Sequence, residues 1–231
     1  MKRFFSIVSV ILMCSSFIYA QKETFKSELY IGAGGGVASS SMDFVPGIQQ
    51  KLNIGFHGGI AAKLISEKHL GLIGELNFAQ RGWKEEFDPE SGFDYSRTLN
   101  YVEVPFMTHI YFGNSFRFII NVGPQISFLI GDKQKMSQAL ADDLEARRSA
   151  SPDARIGVQY SPRSEMSVVD YGLIGGAGVA LKTPIGDFDL EGRYYFGLGD
   201  LFTSRRSENA FFSRSAHRAI EAKLTYYVKI R

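Results

Sequence analysis

The stretch Thr98–Gly131, TLNYVEVPFMTHIYFGNSFRFIINVGPQISFLIG, alternates in side-chain character on both sides of Gly113-Asn114-Ser115. Before that tripeptide Val102, Val104, Phe106, Ile110 and Phe112 share one parity, and Tyr101, Glu103, Met107, His109 and Tyr111 the other. After it Phe116, Phe118, Ile120, Val122, Ile126, Phe128 and Ile130 form one apolar row, with Arg117, Asn121, Gln125 and Ser127 opposite. Successive side chains leave a strand on opposite faces, so a period of two predicts two strands joined as a hairpin. Soluble strands run to about 5–6 residues, and each arm here exceeds a dozen. An unbroken apolar row opposite a polar one suits lipid on one side and a wet interior on the other. A three-residue turn at Gly113-Asn114-Ser115 keeps both apolar rows on one face by pairing Phe112 with Phe116. It sets Pro105 opposite Gly123, which would give the proline ring its space, and Val104 opposite Pro124. On this stretch alone, a long hairpin of a soluble β-sandwich reads the same way.

Residues 1–20 predict a secretory signal: Lys2-Arg3, an apolar core from Phe4 to Met13, and the small Ala20 before cleavage at Gln21. The single cysteine, Cys14, falls inside it. As a lipidated first residue Cys14 would follow Met13, which is bulkier than the small residue such signals place there. Beyond the leader no cysteine remains, which excludes disulfides and thiol chemistry. Losing Lys2 and Arg3 from 26 basic residues brings them level with the 24 acidic ones, so no basic excess is left to attract nucleic acid. No later apolar run approaches the ~20 residues of a transmembrane helix. An exported chain rich in aromatics and glycine, without a helical span, leaves a soluble periplasmic β-protein or an outer-membrane barrel.

Six further alternating stretches decide between the two. Leu29–Ser39, Leu52–Leu64 and Leu70–Arg81 precede the hairpin; Val168–Lys182, Asp187–Leu201 and a last strand through Ile220–Arg231 follow it. Each has an apolar row, such as Ile54, Phe56, Ile60 and Leu64, or Ile220, Leu224, Tyr226 and Val228. The connections alternate too: tight at 66–68, 113–115 and 183–186, long and polar at 40–51, 82–97, 132–167 and 203–216. With an even strand count, all tight turns lie at one end and all long loops at the other. That is the asymmetry of outer-membrane barrels, with turns periplasmic and loops external. The expectation is an all-β fold, a transmembrane antiparallel up-and-down β-barrel of eight strands over 21–231, located in the cell outer membrane. Residues 155–160 could join a further pair and raise the count to ten. Gly175-Gly176-Ala177-Gly178 and Gly34-Gly35-Gly36 lie within strands and not before a helix, so no phosphate-cradling loop is read there. Glycine beside large neighbours is the reading instead, with Tyr194 opposite Gly175 and Arg193 opposite Gly176.

Ala79-Gln80-Arg81-Gly82, Leu99-Asn100-Tyr101-Val102-Glu103-Val104-Pro105 and Gly123-Pro124 form an ordered set of motifs. Asp170-Tyr171-Gly172 with Gly175, Gly176 and Gly178, then Gly192-Arg193-Tyr194-Tyr195 through Gly197-Leu198, continue it. In order and spacing they resemble the PorT-like outer-membrane barrel family of the Bacteroidetes, over essentially the whole chain after the leader. The resemblance implies an outer-membrane location and eight strands. The founding member of that family takes part in protein secretion by the gliding-associated (type IX) pathway.

Four histidines, His57, His69, His109 and His217, share no motif and no metal-ligand spacing such as H-x-x-x-H. The acids Glu85, Glu86, Asp88, Glu90, Asp94 and Glu208 read as solvated loop. No catalytic residue, cofactor or metal ligand is assigned, and no enzyme activity is expected. The alternative is a barrel enzyme acting on lipid or peptide at the outer surface, which would show an acid–histidine pair at the outer rim. The inward charges Glu75, Arg81, Glu103, Arg117, Arg193, Glu221 and Lys223 are expected to form a structural network in the lumen, since a charge in a narrow barrel must be paired or wetted. An ion-selective ring would carry one sign, and an interior of eight strands is wide enough only for side chains or one small ligand, so a general pore is not expected. Within the long external loop 132–167, Met136, Leu140 and Leu144 predict a helix from Gln134 to Arg148. Recognition, if any, is expected there and over Trp83–Arg97. The expected partners are outer-membrane lipid and lipopolysaccharide, with other envelope or secretion proteins, and no nucleic acid.

Overall fold

The computed structural model describes residues 25–151, 156–202 and 211–231. The leader expected over 1–20, Arg155 and Glu208 lie outside the described residues. Among the described residues eight long strands form a ring: β1 (Glu28–Val45), β2 (Asn53–Glu67), β3 (Leu70–Glu85), β4 (Tyr95–Gly113), β5 (Phe116–Met136), β6 (Val169–Thr183), β7 (Gly186–Gly197) and β8 (Arg214–Lys229). Each is antiparallel to its sequence neighbours, and β1 pairs with β8 from Tyr30 opposite Lys229 to Val45 opposite Arg214. Closure leaves no open sheet edge, as a sheet in hydrocarbon requires. It also fixes the count, because Val158–Tyr160 is a 3-10 turn and adds no strand.

Side-chain facing follows the period of two. On β5 Phe118 is 62 % exposed while its inward counterparts Asn121 and Gln125 are each 1 % exposed, and Leu224 and Glu221 on β8 divide the same way at 51 % and 3 %. The apolar belt therefore faces out around the ring, and the polar rows face in.

The hairpin register differs from the expected one. Phe112 lies opposite Phe118, Pro105 opposite Gln125 and Val104 opposite Ile126, a shift of two residues that leaves the faces unchanged. The cause is Gly113, which at φ 111° pairs with Arg117 and moves the bend onto Asn114-Ser115-Phe116. A Cβ there would stand 2.2 Å from the Phe116 carbonyl oxygen, so the turn requires glycine. Gly123 meets the β4 backbone beside Phe106 and not Pro105. The β2–β3 turn is Lys68-His69, one residue beyond the expected 66–68, because a bulge between Ile65 and Glu67 takes up the extra residue. Between β6 and β7, Gly175 faces Tyr194 and Gly176 faces Arg193.

At the loop end most strands outrun their expected limits: β1 reaches Val45 beyond Ser39, β3 Glu85 beyond Arg81, and β5 Met136 beyond Gly131. A ladder has no reason to stop where lipid stops, and Ser40–Val45 goes on pairing with β8, keeping Ser40, Met42 and Phe44 inward and buried. β7 ends early, at Gly197 instead of Leu201, and β2 and β6 each begin one residue inside their expected limits, at Asn53 and Val169. Because β5 runs on, the helix of the long loop, α1 (Gln138–Ala150), starts four residues later than the leucine spacing predicts. Ser137 caps it by accepting from the Leu140 N–H at 3.4 Å.

The interior divides along the barrel axis. Tyr30, Ile65, Tyr111, Ile119 and Tyr227 pack at the turn end, charged side chains fill the middle, and an aromatic cluster with Phe44, Trp83, Tyr95, Phe202 and Phe212 closes the loop end.

Candidate functional site

The middle layer is built from inward positions of neighbouring and facing strands. Glu75 on β3 accepts from Arg193 through two nitrogens at 2.8 Å each, from Lys223 Nζ at 2.6 Å and from Asn77 at 2.8 Å. Arg193 also donates to Glu191 at 2.8 Å, and the other Glu191 oxygen accepts from Asn121 at 2.9 Å. The chain of contacts ends at His109 Nδ1, 2.7 Å from Asn121 Oδ1. Toward the loop end Arg81 bridges Glu103 and, at 3.2 Å, Asp170. Tyr195 donates to the same Asp170 oxygen at 2.9 Å while its ring lies 3.9 Å from the Arg81 guanidinium. Toward the turn end Lys63 meets Asp189 at 2.9 Å and lies 3.9 Å over the Tyr227 ring. Charge-assisted and bidentate bonds of this kind are stronger than neutral ones.

Of the charges singled out in the sequence, Glu75, Arg193 and Lys223 meet in one knot, Arg81 and Glu103 in a second, and Glu221 faces His57 Nδ1 at 3.6 Å. Arg117 stands apart. It follows the hairpin bend directly, so its Nε donates to the Asn114 carbonyl at 2.8 Å and its guanidinium lies 4.7 Å over the Tyr111 ring. The partners Asp170, Asp189, Glu191 and Lys63 were legible as inward charges. Which of them meet was not: Lys63 and Asp189 lie 126 positions apart, and Arg81 and Asp170 lie 89 apart.

The loop-end layer is apolar. Phe44 packs 5.4 Å from Trp83 and 4.7 Å from Phe212 between ring centres, and Trp83 lies 6.3 Å from Phe202. Leu140 and Leu144 of α1 press onto the same cluster. Arg97 ties the following segment down: it grips Asp132 at 2.9 and 2.5 Å and donates to the carbonyls of Ser161 at 2.8 Å and Gln159 at 3.3 Å. Tyr160 donates to Glu85 at 2.7 Å, and burial together with that carboxylate pushes its phenol above the ordinary value. Strand limits at Ser39 and Arg81 leave the residues of this cap in loops, whereas Met42, Phe44 and Trp83 continue the inward parity of their strands. Beside it lies a groove of about 610 Å³ lined by Met136, Ala141, Leu144, Glu145, Arg148 and Tyr160.

The histidine–carboxylate pair His57–Glu221 is enclosed in the lumen, with both side chains 1–2 % exposed, and so does not stand at the rim where the enzyme alternative needs it. His217, 1 % exposed, meets the Tyr101 hydroxyl at 3.0 Å. Among the described residues no set of three His, Cys, Asp or Glu side chains converges as metal ligands.

A family model described as "Outer membrane protein beta-barrel domain" matches residues 19–203. Neisserial surface protein A is similar at 15 % identity and TM-score 0.49, covering 89 % of this chain and 100 % of that one. OprG from Pseudomonas aeruginosa is similar at 9 % identity and TM-score 0.47, covering 88 % and 97 %. Ail, the attachment invasion locus protein of Yersinia pestis, solved with the heparin analogue sucrose octasulfate, is similar at 12 % identity and TM-score 0.41, covering 87 % and 99 %. No curated protein matches. With the family model spanning most of the sequence and the strands closing into an eight-membered antiparallel ring, the chain belongs to the outer-membrane β-barrel family and resides in the outer membrane.

Proposed function

We propose that this protein is a closed, non-conducting and non-enzymatic barrel that serves the cell envelope as a structural and binding component. In this reading residues 1–20 are its signal peptide, the tight turns are periplasmic and the long loops, 132–167 among them, are external. The observation that carries the reading is a double block of the lumen. Paired charges around Glu75, Arg193 and Lys223 occupy its middle, and the Phe44–Trp83–Phe202–Phe212 cluster lies over them. Long side chains of opposite sign that pair across the lumen remove both the space and the field an ion would need. The charged residues Glu75, Arg81, Glu103, Arg193, Glu221 and Lys223 thus act as structural fillers. The motifs around Arg81, Glu103 and Arg193 support membership of the PorT-like group of the Bacteroidetes and an accessory part in secretion. In planar bilayers the purified protein gives no reproducible conductance steps; porin-sized openings would refute the closed barrel. Unchanged export of secreted cargo in a deletion strain would remove the secretion role.

A further inference from the structure

Just beyond the apolar belt at the loop end, the outer wall differs from one side of the barrel to the other. On β3, β4 and β5 the last full apolar row is Phe78, Val102 and Phe128, each paired with the next. Three polar rows follow in register: Gln80–Asn100–Gly131, then Gly82–Thr98–Lys133, then Lys84–Ser96–Lys135. Lys133 and Lys135 are exposed. Their chain neighbour Asp132 turns inward to Arg97, and Asp94 pairs with Lys84 at 3.5 Å. Among the described residues neither Lys133 nor Lys135 forms an ion pair. Arg163 joins them at the edge of β5, its two terminal nitrogens held by the carbonyls of Ile130 at 3.0 Å and Leu129 at 2.8 Å. The opposite wall, β8 and β1, also has cations beyond its belt, but Arg214 and Arg218 are both held by Asp43, at 3.0 and 2.9 Å. Among the described residues, the strand lysines without an ion pair at the loop end are therefore those of β5.

Height matters as much as charge. A strand rising ~3.3 Å per residue at a ~40° tilt climbs ~2.5 Å along the membrane normal. Val102 to Phe112 on β4 then spans ~25 Å, the expected height of the apolar band. The Thr98–Lys133 row lies ~10 Å beyond that band and the Ser96–Lys135 row ~15 Å beyond. A lysine stem bends back along the wall, so both ammonium groups can reach the headgroup layer.

We propose that the outer face of β3–β5 at the loop end is a binding site for a phosphate-bearing glycolipid of the outer leaflet. Acyl chains lie on Phe78, Val102 and Phe128, the phosphate sits between Lys133 and Lys135, and Gln80, Asn100, Thr98 and Ser96 offer hydrogen bonds to the sugar. This assignment rests on the reading that the long loops are external.

The test titrates the detergent-solubilised protein with diphosphoryl lipid A, dephosphorylated lipid A, phosphatidylglycerol, phosphatidylcholine and inorganic phosphate, and reads bound ligand by native mass spectrometry. Diphosphoryl lipid A binds in preference to the other four, and its binding weakens with added salt. Lys133→Gln/Lys135→Gln weakens it about 25-fold, at about fivefold per lysine. Lys133→Arg/Lys135→Arg retains binding, and so does Lys68→Gln at the opposite end. Equal binding of phosphatidylcholine, or no loss in the double glutamine variant, overturns the site; so does binding of inorganic phosphate alone at the same strength. A preference for phosphatidylglycerol overturns the glycolipid as its occupant. Maleimide labelling of Glu90→Cys on intact cells separates the two readings: no label means that the assignment of sides has failed, whatever the lipid data show.

Discussion

Glu75→Gln isolates the charge from the shape of the lumen. The two side chains are nearly isosteric, and glutamine keeps one acceptor oxygen, so the change removes a negative charge from the most crowded knot of the interior. The Glu75 side chain is fully enclosed, and those of Arg193 and Lys223 are 1–2 % exposed. Arg193 keeps Glu191, whereas Lys223 is left with the Asn77 oxygen at 3.1 Å. Removing one partner of a buried pair costs about 3–5 kcal/mol, mostly the expense of the stranded charge. With a urea dependence of about 2 kcal/mol/M, the unfolding midpoint falls by about 1.5–2.5 M. Removing the stranded charge as well, in Glu75→Gln/Lys223→Met, restores most of that loss, because a buried ion pair roughly breaks even against an apolar filling. Folded and unfolded fractions are read as the heat-modifiable band shift of protein refolded into lipid vesicles and equilibrated in urea. A midpoint change below about 0.5 M for the single variant would mean that water screens the knot. A double variant no better than the single one would refute the pairing argument.

Further substitutions test the wall and the cap. Leu224→Arg or Ile120→Arg, on the lipid face, costs about 2–4 kcal/mol at mid-bilayer and depletes the folded band, whereas Gln125→Arg, inward and opposite Gly172, is milder; equal tolerance would mean the strand phase is misassigned. Arg97→Lys loses the two-pronged grip on Asp132 and the bonds to the Gln159 and Ser161 carbonyls, so limited proteolysis cuts within 156–161 faster, and an unchanged rate would show that the aromatic cluster alone holds that segment.

Period and parity made the wall readable from residues alone, since every outward apolar row is a property of one strand. Register was less accessible. Parity permits shifts of two, and the choice between Phe112–Phe116 and Phe112–Phe118 hung on the left-handed conformation of Gly113. The lumen was legible as a set of charges but not as pairs. Arg193 and Glu75 are 118 positions apart and meet through barrel curvature, which no local pattern encodes. The cap was missed for a third reason: above the belt the outward residues turn polar, the contrast between faces fades, and Trp83 or Phe44 then looks like loop. Its inward parity was the available signal.

Buried ion pairs add little stability relative to a well-packed apolar filling, so the occupancy of this lumen by charge calls for another reason. Strand phase supplies it. Along β7, Asp189, Glu191, Arg193 and Tyr195 point inward while Phe188, Leu190, Tyr194 and Phe196 point to lipid. A slip of one residue exchanges the two sets. It would aim Arg193 into hydrocarbon, at about 2–4 kcal/mol near mid-bilayer with smaller costs for the acids, and strand Glu75 and Asn121 in the lumen without their partners. The glycines of β6 complete the argument. A Cβ on Gly176 would stand 2.6 Å from Glu191 Oε1 and 2.8 Å from Arg193 Cγ, so these long side chains fit only beside a residue that lacks one. Charge on one strand and empty space on the next therefore specify the same register twice. With a lumen refilled by leucine, the strands would carry two apolar faces, and nothing in the bilayer would choose between them.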